Sequence, residues 1–296
     1  MDTSVITGLG YVLASGLFIF GLKMLGSPAT ARRGNMVSAA GMFVAIVVAL
    51  MDQGIVDYTW IIGGMVAGGL VGAVAARAVA MTSMPEMVAL FNGLGGSASL
   101  LVGWAALTPD AATFTLVTIV LSILIGGVTL TGSLIAYGKL SEIMGSGQIV
   151  FRGQQIVNSL VILGILGGAV MFTLEPTNAN WLYMVIGLSL VFGVMVVIPS
   201  GGADMPVVIS LLNSYSGLAA CAAGFALENN LLIVAGALVG ASGIILTNIM
   251  CKAMNRSLIN VLVSGFQKVE TSEMKVEGEV KPLSADDAFF VLEAAQ

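Results

Sequence analysis

The chain has 296 residues, of which 57% are hydrophobic and 9% charged, with a mean hydropathy of +1.02. Soluble globular proteins carry about 25% charged residues, so the composition excludes a soluble domain and points to an integral membrane protein. Histidine is absent, which excludes imidazole as a metal ligand or general base; the net charge of −5 gathers in the tail and in the loops of one side, and carries no signal for nucleic acid.

The start, Met1-Asp2-Thr3-Ser4, has no basic residue and runs directly into an apolar stretch long enough to span a membrane. That is unlike a cleaved signal or a transit peptide and favours a bacterial inner (plasma) membrane. A helix needs ~20 apolar residues to cross the hydrocarbon core. By that rule an all-α, polytopic bundle of nine spans is expected, over about 4–25, 35–52, 58–80, 84–107, 112–138, 155–174, 181–199, 205–227 and 230–252. Short polar turns such as Thr108-Pro109-Asp110 and Glu228-Asn229-Asn230 make their flanking spans antiparallel neighbours.

Charge orients the bundle. Lys23, Arg32, Arg33, Arg77, Lys139, Arg152, Lys252 and Arg256 fall on one side; Asp2, Asp52, Asp57, Asp110, Glu175 and Glu228 fall on the other. By the positive-inside rule the basic side is cytoplasmic, which places the N-terminus outside and the C-terminus inside. Trp60, Trp104 and Trp181 fall near the outer edge and read as an aromatic belt. Gly64, Gly68, Gly72 and Ala76 in the third span, Gly95, Ser99 and Gly103 in the fourth, and Gly236 and Gly240 in the ninth form small-residue stripes. Such stripes let helix backbones approach closely in lipid and are read as helix contacts. Cys221 and Cys251 are read as small core residues.

The fourth and eighth spans repeat one another. Met84-Pro85-Glu86-Met87-Val88-Ala89-Leu90-Phe91-Asn92 and Met205-Pro206-Val207-Val208-Ile209-Ser210-Leu211-Leu212-Asn213 lie 121 residues apart. Gly96, Ala98 and Gly103 match Gly217, Ala219 and Gly224 at the same offset. Gly127 to Lys139 and Gly240 to Lys252 share a spacing of twelve, which extends the repeat to the fifth and ninth spans. Two same-sense copies imply a pseudo-twofold axis along the membrane normal. Ser83 and Asp204 stand where N-caps are favoured, and each proline falls in the first turn, where its missing N–H is no loss.

At 1.5 Å per residue, Asn92 and Asn213 each lie roughly 12 Å in from the helix start. A buried amide is costly without a partner, and two at one depth suggest a polar path. Either one alone is equally well read as an interhelical bond. Ser210, Ser214, Tyr215 and Ser216 surround Asn213, with Thr129, Thr131 and Ser133 near the same level and Thr247 and Asn248 further in; together they offer a chain of sites for water. Glu86 is either an acid favoured by the helix dipole or a proton-gathering group at the mouth of the path. Asp204 has the same two readings. Asn158 and Asn248 read as packing or interfacial residues, and Arg77 and Arg152 as anchors. Beyond Arg256 the chain turns polar. Residues 261–296 read as a linker followed by a helix that opens at Ser284 and carries Phe289, Phe290, Val291 and Leu292, too short to build a core alone. Residues 1–260 form the membrane domain in this division.

Five stretches carry a resemblance. Gly201-Gly202-Ala203-Asp204-Met205-Pro206-Val207-Val208-Ile209-Ser210-Leu211-Leu212-Asn213-Ser214-Tyr215-Ser216-Gly217 resembles the β subunit of proton-translocating nicotinamide nucleotide transhydrogenases. So do the Met84 to Gly93 segment, Thr131-Gly132-Ser133 with Lys139-Leu140, Cys251-Lys252-Ala253-Met254-Asn255-Arg256-Ser257, and Val276-Glu277-Gly278-Glu279-Val280-Lys281-Pro282-Leu283. The resemblance covers nearly the whole chain. It implies a Re/Si-specific enzyme that moves hydride between NAD(H) and NADP(H) and couples this to inward proton movement. It implies an α-subunit partner with an NAD-binding domain, a C-terminal NADP-binding domain, a dimer of heterodimers, and a surrounding lipid bilayer. The expected proton path is Asn92, Asn213, Asp204, Glu86, Ser210 and Tyr215, with no catalytic, cofactor-binding or metal residue in this chain. The NADP-binding motifs would follow residue 296, so the chain alone is expected to bind neither nucleotide and to be non-catalytic. Some family members carry His where Asn92 stands; water held by Asn92 and Asn213 is the path expected in its place. The competing expectation is a secondary transporter on a parallel repeat, which requires a discontinuous helix at the midplane.

Overall fold

A computed structural model describes residues 3–51, 57–108, 110–255 and 257. Among them the chain forms nine helices and no strand: α1 (Thr3–Leu25), α2 (Pro28–Leu50), α3 (Thr59–Ala78), α4 (Met84–Ala105), α5 (Thr113–Leu140), α6 (Gln154–Leu174), α7 (Ala179–Val197), α8 (Met205–Ala226) and α9 (Asn230–Ala253). All nine are long and apolar enough to cross a membrane, as the hydropathy pattern requires. The expected linker and helix of residues 261–296 lie outside the described residues, as do Asp2, Asp52 and Arg256.

Local chemistry sets several boundaries. Asn178 and Asn229 accept backbone N–H bonds from Asn180 and Leu232 and so cap α7 and α9. A short 3₁₀ turn, Met81–Ser83 or Gly202–Asp204, leads into α4 or α8, and Pro85 or Pro206 then occupies the first turn. The cap expectation for Ser83 and Asp204 is corrected here: both hold the cap position and neither side chain caps. The 3₁₀ lead-in leaves each residue near φ −90° and ψ 0° rather than extended, so its oxygen is not aimed back at the helix N–H groups. A second correction moves the start of α2 from about 35 to Pro28, so Arg32 and Arg33 lie within the helix. Charged stems in a terminal turn reach back to the interface, and an apolar run therefore undercounts the helix.

The bundle is built from hairpins. α1 packs along α2, α4 along α5, and α8 along α9. α5 and α8 form the centre: α5 also touches α7 and α8, and α8 touches α4. In the most apolar window of each helix, 67% of α8 and 56% of α5 is buried, against none of α3. Within the α4–α5 pair, a side chain added at Gly96 would meet the Gly126 carbonyl at 2.8 Å. Within α8–α9, one added at Gly217 would meet Gly236 and Gly240 backbone. Gly103 on α4 and Gly236 and Gly240 on α9 are thus sites of close helix approach, as expected, while Gly95 of the expected α4 stripe meets nothing within 4 Å. α3 differs: Gly64, Gly68 and Gly72 have no neighbour within 4 Å. Trp60 is exposed, Trp104 stacks edge-on against Tyr183 with ring centroids 6.0 Å apart, and Trp181 packs against the apolar cluster around Phe172. Cys221 and Cys251 are free thiols on α8 and α9.

Candidate functional site

The site begins with the amide of Asn92. On α4, its Nδ2 donates to the Ser133 hydroxyl of α5 at 2.9 Å. Its Oδ1 accepts from the Ser216 hydroxyl of α8 at 2.8 Å, and Ser216 also reaches the Asn92 carbonyl at 3.4 Å. One side chain therefore ties three helices. Gly93, next along α4, lets the backbones close: a Cβ there would meet Ser133 at 3.1 Å.

Asn213 behaves differently. It lies half-buried on α8, one turn before Ser216, and its amide makes no hydrogen bond among the described residues. The two asparagines are not joined to one another; Ser216 stands between them. Ser210, a turn further towards the helix start, is buried and accepts from the Thr247 hydroxyl of α9 at 3.0 Å. Ser214 donates to the Gly240 carbonyl at 2.6 Å. Tyr215 is half-buried against the apolar cluster of Ala136, Val208 and Leu212. The Thr129 and Thr131 hydroxyls donate to the carbonyls of Ile125 (2.7 Å) and Leu190 (2.8 Å). Asn248 faces outward, and Asn158 is fully buried between helices.

The carboxylates lie at the starts of the two Met-Pro helices. Glu86 is half-buried in the first turn of α4. Asp204 ends the 3₁₀ turn before α8, with one carboxylate oxygen buried and the Cys251 thiol of α9 within its electrostatic reach. From Asp204 to Asn213 is nine residues, or about 13 Å along the helix. No carboxylate occurs between them.

A cavity of about 420 Å³ opens beside the node, between the α1–α2 hairpin and α4, α8 and α9. Asn35, Ser38, Ser99 and Ser216 supply its polar lining. The buried Ser38 hydroxyl has no hydrogen-bond partner among the described residues. A space this large holds several waters, each needing only about 10–15 Å³. Among the described residues no group of three or more acidic or cysteine side chains is placed to hold a metal.

Sequence reasoning missed Lys139. It was counted only among the basic residues of one side, but it lies in the last turn of α5 and is 1% exposed. Its Nζ donates to the carbonyls of Gly147 (3.0 Å), Ile198 (2.6 Å) and Ser200 (2.6 Å). The twelve-residue spacing from Gly127, shared with Lys252, is the signal that marked it.

The family model described as NAD(P) transhydrogenase beta subunit matches residues 7–296. The chain is 40% identical over 307 aligned positions to the NAD(P) transhydrogenase subunit beta of Rhodospirillum rubrum, and equally to the protein of that name from its strain ATCC 11170. Each alignment covers 99% of this chain and 66% of the relative, so the chain spans about two-thirds of the length of these relatives.

Proposed function

The chain belongs to the NAD(P) transhydrogenase β-subunit family, and we propose that it forms the membrane part of such an enzyme and conducts protons coupled to hydride transfer between NAD(H) and NADP(H). The observation that carries this reading is the graded set of polar groups along α8: Asp204 at its start, then Ser210, Asn213 and Ser216, with Asn92 bound to the last. Hydroxyls and amides both donate and accept hydrogen bonds, so with intervening water they form a continuous relay. Asp204 and Glu86 gather protons at the basic end of the bundle. Asn213, whose amide is uncommitted, orients the water that passes the proton on. Asn92 holds the helices around it, and the cavity beside Ser216 supplies the outward water. Tyr215 closes the apolar side of the path.

In this reading the basic end is cytoplasmic and the N-terminus outside, in a bacterial inner membrane. An α subunit binds NAD(H), an NADP(H)-binding domain seats on the end carrying Asp204, and residues 1–260 are the channel domain. Two such α–β pairs assemble as a dimer, and the hydride moves with Re/Si specificity. Nucleotide state gates the path by moving the segment around Asp204. α4 and α8 are uninterrupted at Asn92 and Asn213, with their prolines confined to the first turn, so no broken helix supports a solute transporter.

Asn213→Leu in the complete enzyme tests the assignment. Proton-coupled turnover is expected to fall by at least about a hundredfold, the scale of losing one proton-transfer step, while nucleotide binding is retained. Unchanged coupling in reconstituted vesicles removes Asn213 from the path.

A further inference from the structure

We infer that Lys139 is a positioning residue: its ammonium latches the α7–α8 connection to the end of α5 and thereby sets the place of Asp204. The inference builds on the reading of Asp204 as the inner entrance of the proton path. A lysine at the end of a membrane span ordinarily extends its stem and leaves its charge in water. Lys139 does the reverse. It is 1% exposed, and its three partners are all backbone carbonyls, one in the α5–α6 connection and two in the α7–α8 connection.

The geometry counts protons. An ammonium has three N–H donors, and three carbonyls lie within 3.0 Å. A neutral amine would leave one carbonyl empty, so the arrangement fits the charged form with its full valence used. Two of the carbonyls, Ile198 and Ser200, come directly after the last turn of α7. There the helix-end carbonyls, which lack intrahelical partners, and the helix dipole favour a cation. A charge taken out of water is tolerated only when such partners replace the lost hydration.

The latch reaches Asp204 through a short, stiff piece of chain. Ser200 is four residues before Asp204, and the Gly201 carbonyl accepts from the Asp204 N–H at 3.0 Å within the 3₁₀ turn. The other arm holds the 141–150 connection, whose Ser146 carbonyl accepts from the Gly202 N–H at 2.8 Å and whose Ile149 N–H donates to Ile198. A side chain at Gly202 would press on Ser146 at 2.9 Å. Both connections thus move as one piece with the lysine at its centre. Lys252, in the last turn of α9, is exposed, so a place in the last turn does not by itself bury the charge. The cage does.

The test uses the complete enzyme in liposomes with an added reporter, Ala203→Cys, at an exposed position beside Asp204. Labelling of the introduced thiol by a membrane-impermeant maleimide is followed by mass spectrometry of that peptide. Protons moved per hydride transferred are measured in parallel, because a merely structural role would leave that ratio unchanged in the folded enzyme. Lys139→Met is expected to speed labelling by about tenfold, the equivalent of one lost charge-assisted bond, and to lower the proton ratio. Lys139→Arg keeps the charge but fans its donors in a flat fork, and is expected to fall between wild type and Lys139→Met. If Lys139→Met does not accumulate in the membrane, Lys139→Arg decides: faster labelling supports the latch, and the wild-type rate overturns it. Wild-type labelling and an unchanged ratio in both variants also overturn it. Asp204→Asn separates the two readings. If it leaves proton movement intact while Lys139→Met still frees the segment, the latch stands and the entrance assignment fails.

Discussion

The two Met-Pro helices share a backbone and differ in what their amides hold. α4 and α8 are each 22 residues long, each follows a three-residue 3₁₀ turn, and each places its asparagine at the same depth. Asn92 spends both ends of its amide on Ser133 and Ser216. At the 121-residue offset Gly95 stands in place of Ser216, and Gly243, which packs on Ser214 as Ser133 packs on Gly93, stands in place of Ser133. Asn213 therefore has no copy of either partner. Duplication set the depth of both amides, and divergence of their neighbours left one structural and the other open. A second contrast follows the same rule. α7 buries Val185, Ser189, Gly193 and Val197 against the core, and the residues 121 positions earlier on α3, Gly64, Gly68, Gly72 and Ala76, are not buried. The same stripe is a packed face in one copy and an open one in the other.

The largest expected effect separates those stripes. A Cβ at Gly193 would collide with the Thr131 hydroxyl and the Val128 carbonyl, whereas one at Gly72 meets nothing. Gly193→Leu is expected to cost about 3 kcal/mol or more, beyond ordinary overpacking because backbone is struck. Gly72→Leu is expected to leave this chain's melting temperature in detergent unchanged. Equal losses would mean that α3 is packed as α7 is.

The next effect separates the amides by stability rather than by conduction. Asn92→Leu strands the Ser133 and Ser216 hydroxyls and is expected to cost about 1–3 kcal/mol. Asn213→Leu strands nothing among the described residues and is expected to be near neutral in the same melt. The reverse order would exchange the two roles.

Much of this was legible in the sequence because hydropathy and the repeat act over long stretches. Nine spans, the pairing of α4 with α5 and α8 with α9, and the depth of Asn92 and Asn213 all follow from composition and offset. The inequality of the two asparagines was not legible. It depends on single hydroxyls contributed by other helices, which no spacing within the two copies reports. Lys139 was hidden for a related reason. A terminal lysine has the same sequence signal whether it extends to water or turns inward, and only the loop carbonyls of 147, 198 and 200 decide which. The caps at Ser83 and Asp204 failed because residue type alone does not report a 3₁₀ lead-in.

The smallest effect is the most specific. If Asn213 is open because Gly95 stands on α4 where Ser216 stands on α8, then Gly95→Ser should close it. A Cβ at Gly95 meets nothing within 4 Å, so the change forces no repacking. By the repeat, the new hydroxyl takes the place for Asn213 that Ser216 takes for Asn92. Hydrogen bonds between membrane helices average about 0.6 kcal/mol, so the melting temperature is expected to rise slightly. The same bond competes with water for the Asn213 amide. An energy of that size corresponds to about a threefold change in occupancy, and proton-coupled turnover is expected to fall by about that factor, with nucleotide binding unaltered. A rise in stability without a fall in turnover would show that Asn213 conducts while bonded, and the distinction between the two copies would then rest on Asp204 alone.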